Sequence, residues 1–219
     1  MPTLERQVER AARLDTSTIS DALDRLGIAG QCLNIKPRDP RFRLTGRAFT
    51  MLYGPVGKPA GTVGDYIDDV PPGSVIVIDN GGRENATVWG DILTEIAHRR
   101  GIAGTVIDGA CRDTALCLEL GYPVYSRSYS MRTGKDRVQL DATNVIVSIG
   151  EARVAPGDIL RGDADGVVVI PSQHEDEVLA VSEEIDAAEA AIRKSVRAGK
   201  RLQEARKEFG YHKLQTKRT

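Results

Sequence analysis

Several things are scarce in this chain, and each scarcity narrows what it can be. No run approaches the about 18 consecutive apolar residues that a membrane-spanning helix needs, so no such helix is expected. The opening stretch MPTLERQVERAARLD is charged and has no apolar centre, so no secretory leader is expected either. Charge of one sign is missing too. Thirty Lys and Arg balance 31 Asp and Glu, for a net charge of −1. Nothing there draws the protein to nucleic acid or to an anionic membrane as its main partner. There are only three cysteines, Cys32, Cys111 and Cys117, an odd number without paired spacing. They read as reduced thiols of a cytoplasmic protein, and the gap between Cys111 and Cys117 is not that of a zinc site. Aromatic residues make up 5% of the chain, so the core must be built from Val, Ile, Leu and Ala.

What is present suits one α/β domain spanning residues 1–219, whose segment 172–219 forms a C-terminal helical extension. Residues 3–26 read as helical, with a break at Asp15 and a new helix from about Ser17 to Leu26, closed by Gly27. Residues 28–46 are loop-like and basic. A strand is expected over Arg47–Pro55, then a Gly- and Pro-rich loop to residue 64 and a short helix over Asp65–Val70. The run SVIVID at 74–79 suits a strand buried on both faces. Asp91 opens a helix ending at Gly101, GTVIDG at 104–109 is the next strand, and TALCLELG a short helix. YPVYSRSYS resembles a strand again, and this alternation marks an α/β unit. Residues 130–142 read as a polar loop. Strands are expected at 145–150, near 159 and over Val167–Ile170. Residues 172–209 form a closing helical region, with Ser172 and Glu175 spaced as a capping box.

The chemistry concentrates at WGDILTEIAHRRGIAGTVIDGACRDT. Asp91, preceded by Gly90, opens a helix, and after twenty intervening residues Arg112 and Asp113 leave a strand end. Such element ends are where α/β proteins place ligand sites. Two carboxylates without a histidine partner suit Mg²⁺ or Mn²⁺. Arg112 can pair bidentately with a carboxylate or a developing enolate. Asp91 also has a structural role as an acid in a first helical turn, and Arg112–Asp113 one as an ion pair, so spacing alone leaves both readings open. His98, His174 and His212 sit in charged helical surroundings and read as surface. Cys111 has no base beside it and reads as a small core or turn residue. Asp15, Thr16, Ser20 and Asp21 read as capping and surface groups, and the loop around Lys58 does not match a phosphate-binding pattern.

Several stretches together resemble the RraA-like family, which includes class II 4-hydroxy-4-methyl-2-oxoglutarate / 4-carboxy-4-hydroxy-2-oxoadipate aldolases. They are SDALDRLG (20–27), the Gly-Gly…Trp-Gly-Asp run (81–91), DGACRD (108–113), GYPV (121–124) and PGD…GDADGVVVIP (156–171). The resemblance implies a swivelling β/β/α fold with N-terminal helices, assembled as a homotrimer or a dimer of trimers. It implies a divalent metal, Mg²⁺ or Mn²⁺, held through Asp113, with Asp91 holding metal-bound water. Arg112 is then the contact to the substrate's oxo or carboxylate oxygens, and amides from Gly90 through Asp91 and Ile92 to Leu93 hold the carboxylate. Glu189 of a neighbouring chain is the best match for a Glu completing the water shell, and Glu184 the weaker one. The implied reaction is retro-aldol cleavage of a 4-hydroxy-2-oxo acid to pyruvate and a second carbonyl product, with oxaloacetate decarboxylation, through a metal-stabilised pyruvate enolate. One departure is Leu116, where the family often carries an acid. The rival reading is a regulator that binds and inhibits an endoribonuclease; the long C-terminal helix favours the enzyme. No glycine fingerprint supports a methyltransferase.

Overall fold

The computed structural model describes residues 3–211, and the side chains of 6–211. Four strands form its parallel centre. They are β2 (Leu44–Pro55), β3 (Val75–Thr87), β4 (Gly104–Cys111) and β5 (Val124–Tyr129), hydrogen-bonded in the order β5-β4-β3-β2. All eight residues of β4 are buried, as are the first four of β3. Strands covered on both faces need continuous apolar runs, so the sequence pattern and the layering agree. β1 (Lys36–Pro37) closes one edge against β5. At the other, β2 pairs antiparallel with both β9 (Ile159–Gly162) and β6 (Val138–Thr143), and β9 pairs with β10 (Val167–Ile170). The result is a mixed, nearly closed sheet, with a separate hairpin of β7 (Val147–Ile149) and β8 (Ala152–Val154).

The helices follow from the exits of these strands. α3 (Asp91–Arg99) follows β3 and α4 (Thr114–Leu120) follows β4. α1 (Thr3–Ala12), α2 (Thr16–Leu26) and α5 (Glu175–Arg197) build a second apolar cluster, where Ile19, Leu23, Val178, Leu179 and Ile185 bury against Ile159 and Ile170. Arg161 is 6% exposed and ties this layer to the sheet, its Nε donating to the Leu14 carbonyl at 2.8 Å. No helix among the described residues is long and apolar enough to cross a membrane.

Four expectations need correction. The capping box at Ser172 does not form. Ser172–His174 is a 3-10 turn, α5 starts at Glu175, and the Glu175 carboxylate is taken by Arg47. Residues 130–142 are not loop throughout, since β6 begins at Val138 and pairs with β2. The strand expected at 145–150 shortens to β7, because Gly150 turns with φ 51°. The closing helical region is two helices, broken between Arg197 and α6 (Leu202–Glu208), with Gly199 at φ 94°. His212 and the basic residues after it lie outside the described residues.

β3 also runs further than the apolar run suggested. Between Asp79 and Thr87 it bulges twice, so that Asp79, Arg83 and Thr87 face Asp108, Gly109 and Ala110 of β4 in turn. Gly81 and Gly82 make this detour at φ 59° and 69°, where a side chain is strained. The detour brings the chain back beside β4 at Thr87, in position to enter the site.

Candidate functional site

The two marked segments leave adjacent parallel strands at their C-terminal ends, where α/β sheets bind ligands. Backbone bonds fasten the exits together. The Val88 amide donates to Ala110 at 3.3 Å, and the Arg112 amide to Trp89 at 3.0 Å. Asp91 and Asp113, 22 residues apart in sequence, therefore meet. The Asp91 amide donates to Asp113 Oδ2 at 3.3 Å, and Arg112 Nε lies 3.2 Å from the same oxygen. Both side chains of the Arg112–Asp113 pair are 38% exposed, open enough to exchange partners for a ligand.

The supports beneath are firm. Trp89 is 2% exposed, stacks on Tyr122 with ring centroids 6.1 Å apart, and donates from Nε1 to Thr94 Oγ1 at 2.9 Å. Thr94 Oγ1 returns a bond to the Gly90 carbonyl at 2.9 Å. This fixes the first turn of α3 on the strand exit. Asp113 itself sits at φ 54°, ψ 39°, a left-handed conformation uncommon outside glycine and asparagine-like residues. The turn aims its carboxylate back at α3 rather than along α4, and it makes no capping bond.

Gly90 is required by close approach. A Cβ there would lie 2.8 Å from Asp113 Oδ2 and 3.2 Å from Arg112 Nε. Gly90→Ala is expected to push the Asp113 carboxylate and Arg112 apart. Turnover should fall about tenfold or more through misplacement of reacting groups, with the melting temperature nearly unchanged. Steady-state kinetics beside a thermal melt checks this, and an unaltered kcat would contradict the close approach.

Of the first-turn amides, that of Asp91 is held by Asp113, and that of Ile92 by the Asp91 Oδ1 atom at 2.8 Å. The Leu93 amide makes no bond among the described residues. The helix start is thus an anion site in which the protein's own carboxylates now sit. Beside it opens a cavity of about 550 Å³ lined by Gly90, Asp91, Ile92, Leu93 and Arg112. Thr133, Gly134 and Lys135 also line it, as do Asp65 and Asp68. Sequence reasoning missed these five. They come from a polar loop and a short 3-10 turn that carry no periodic signal, and the Thr87–Thr133 bridge that carries the loop in is non-local.

The other sequence expectations fall as follows. Glu189 is bonded to Arg193 at 3.1 Å and Glu184 to Arg25 at 3.2 Å, and neither lines the cavity of its own chain. Among the described residues no group of three or more His, Cys, Asp and Glu is poised to hold an ion. The donors at hand are the two hard carboxylates of Asp91 and Asp113. That set fits Mg²⁺, which takes one or two carboxylates and keeps several waters, rather than an all-protein cage. His98 and His174 do not line this cavity. The three cysteines are free and buried. Burial raises the Cys111 thiol and pushes Cys117 up to about 11, so neither supplies a thiolate near neutral pH. Gly81 and Gly82 approach Arg83 and Arg127 rather than the cavity, and the amides of Gly57 and Gly61 are held by Gln139, away from any anion. Thr16 binds Asp163, and Ser20 accepts from Gln31, as structural groups do.

Comparison with known proteins bears on this arrangement. A family model described as RraA-like, Aldolase/RraA, matches residues 16–169. Protein DlpA of Legionella pneumophila is 38% identical over 213 residues, covering 95% of this chain. The chain spans only 34% of that protein's length. A Halalkalibacterium halodurans protein assigned as a 4-hydroxy-4-methyl-2-oxoglutarate aldolase is 34% identical over 183 residues, 84% of this chain and 85% of its own. The crystal structure of an uncharacterised protein from Pseudomonas syringae pv. tomato superposes with a TM-score of 0.86 at 40% identity. The match covers 92% of this chain and 97% of that one.

Proposed function

Because the chain belongs to the RraA-like family and has its swivelling fold, we propose that it is a divalent-metal-dependent lyase that cleaves 4-hydroxy-2-oxo acids to pyruvate and a second carbonyl compound. Family membership supports an aldolase-type reaction in general. The observation that carries the finer reading is the convergence of Asp91, Arg112 and Asp113 on the exits of two adjacent parallel strands, with Asp91 and Arg112 lining one cavity.

In this reading Asp113 would hold Mg²⁺ or Mn²⁺, with Asp91 as its partner through water. The ion supplies Lewis-acid polarisation of the 2-oxo group and so lowers the cost of enolate formation. Glu189 of a neighbouring copy completes the water shell in a trimer or dimer of trimers.

The chain's own groups do the rest. The substrate carboxylate docks at the α3 start, where the Leu93 amide is open and the helix dipole favours an anion. Arg112 donates to the 2-oxo oxygen and becomes a stronger partner as that oxygen gains charge, which is differential stabilisation of the transition state. Asp91 Oδ1 accepts from the Ile92 amide, so Oδ2 is the carboxylate oxygen that would take the C4 hydroxyl proton through a bridging water. The C3–C4 bond then breaks. Its electron pair forms the enolate, C4 leaves as an aldehyde or ketone, and a proton returned to C3 gives pyruvate. Oxaloacetate follows the same course, losing carbon dioxide in place of the carbonyl product.

Incubating the chelator-stripped protein with oxaloacetate and several 4-hydroxy-2-oxo acids, with and without Mg²⁺ or Mn²⁺, tests this. Pyruvate is expected only when metal is added. No pyruvate from any acid in the loaded protein would sink the lyase reading, and binding to an endoribonuclease would then be the property to measure.

A further inference from the structure

The loop that carries Lys135 is fastened to the strand that feeds the site. The Thr87 amide and Oγ1 both donate to the Arg132 carbonyl, at 3.2 and 2.9 Å, and Thr133 bridges to Thr87. Gly134 is buried against the same residue, since a Cβ there would stand 2.1 Å from the Thr87 carbonyl oxygen. Its own carbonyl accepts from the Arg137 and Val138 amides, each at 2.9 Å, where the loop turns into β6. The Lys135 amide donates to Thr133 Oγ1 at 3.2 Å, and its carbonyl accepts from Arg137 Nη1 at 3.3 Å. The backbone of Lys135 is therefore held on both sides, while its side chain is exposed. Thr87 stands three residues before Gly90, so no more than about 11 Å of chain separates the loop's anchor from the start of α3.

Lys135 and Arg112 are the two cations among the residues that line the cavity. Arg112 is engaged with Asp113 at 3.2 Å. Lys135 forms no ion pair among the described residues, although Asp65, Asp68 and Asp91 line the same cavity. Asp68 has a cation of its own in Arg100, 3.9 Å away, and Asp91 Oδ1 accepts from the Ile92 amide. An ammonium on a fixed backbone, in the lining of the cavity that Arg112 also lines, keeps its donors for a ligand. With the first carboxylate of a 2-oxo acid at the α3 start, the anionic group left for it is a second carboxylate further along the substrate.

We propose that Lys135 is a specificity residue, whose ammonium takes a second carboxylate borne on C4 of the substrate, so that 4-hydroxy-2-oxo diacids are selected over monoacids of equal length. This rests on the lyase reading given above for Asp91, Arg112 and Asp113. The role differs from that of Arg112. The second carboxylate leaves on the carbonyl product and keeps its charge from substrate to transition state, so Lys135 holds both equally. Removing the ammonium should raise KM for a diacid and leave kcat within about twofold.

Trp89 lines the cavity and is the only tryptophan of the chain, so its emission reports binding there. Two uncleavable ligands of equal carbon number separate the cases, the diacid 2-oxoglutarate and the monoacid 2-oxopentanoate. With the Mg²⁺-loaded full chain, 2-oxoglutarate should bind about tenfold tighter, the gain expected from one charge-assisted hydrogen bond. Added salt should narrow the difference. Lys135→Met keeps the unbranched stem and removes the charge. It should bring the two affinities within about threefold by weakening 2-oxoglutarate alone. Lys135→Arg should restore most of the preference. A preference that survives Lys135→Met, a parent that does not favour the diacid, or binding of neither ligand overturns the proposal. Exchange of the pyruvate methyl protons with deuterated water, run in parallel, needs no second carboxylate and reports enolate formation alone. Exchange without a diacid preference discards the role of Lys135 and keeps the lyase. Absence of exchange discards the lyase, while the Lys135→Met comparison still decides what the ammonium binds.

Discussion

Asp113→Asn should cut pyruvate release from oxaloacetate by about a thousandfold while leaving the fold intact. Asparagine is the informative replacement because it keeps everything structural about the residue. The position lies at φ 54°, which asparagine tolerates and alanine does not. The amide oxygen can still accept from the Asp91 amide, now at 3.3 Å, so the two strand exits remain tied. The side chain is 38% exposed, so losing its charge releases little burial strain. What asparagine cannot supply is the negative charge that Mg²⁺ needs and that holds Arg112 in place. Activity should therefore be lost at saturating substrate, with little change in melting temperature and weaker Mg²⁺ binding by calorimetry. If Asp113→Asn turns over within about tenfold of the parent, the ion is not held there, and the residue is a structural partner of Arg112.

Much of this site could be read before the fold was known, and the reason is local. The apolar run ending at Asp79 announces a strand buried on both faces, GTVIDG at 104–109 announces the next strand, and α3 keeps helical spacing. Position in the fold then places Asp91 and Arg112–Asp113 at neighbouring strand ends. What could not be read depends on distant partners. Glu175 stands three residues after Ser172 as a capping box requires, yet Arg47, 128 residues away, takes its carboxylate. β6 hides in a polar stretch because it is a half-solvated edge strand with alternating exposure, beside a loop of the same composition. Lys135 reaches the cavity through non-local contacts, the Thr87–Thr133 bridge and the bonds from Thr87 to the Arg132 carbonyl. The left-handed turn at Asp113 leaves no mark in composition, since most such turns use glycine. In its own chain Glu189 pairs with Arg193, one helical turn away, as an acid on a helix surface does.

Arg112 is expected to be a transition-state residue, and the pattern of its kinetic loss distinguishes that from simple substrate holding. Its backbone is committed to the fold through the bond to Trp89, but among the described residues its guanidinium pairs with Asp113 alone and is 38% exposed. Removing the side chain therefore costs little stability. Arg112→Ala should lower kcat by about a hundredfold to a thousandfold, the usual loss when a donor to a developing oxyanion is deleted. KM should change much less, because the α3 amides still hold the carboxylate. A guanidinium that merely bound substrate and transition state equally would raise KM and spare kcat. Arg112→Lys sharpens the test. Lysine restores the charge but not the planar fork that spans an oxo oxygen and Asp113 together, so rescue should be partial, within about tenfold of the alanine variant. Full rescue by lysine would mean that charge alone suffices at this position. A raised KM with unchanged kcat would move Arg112 from the chemical step to binding, and leave enolate stabilisation to the ion at Asp113.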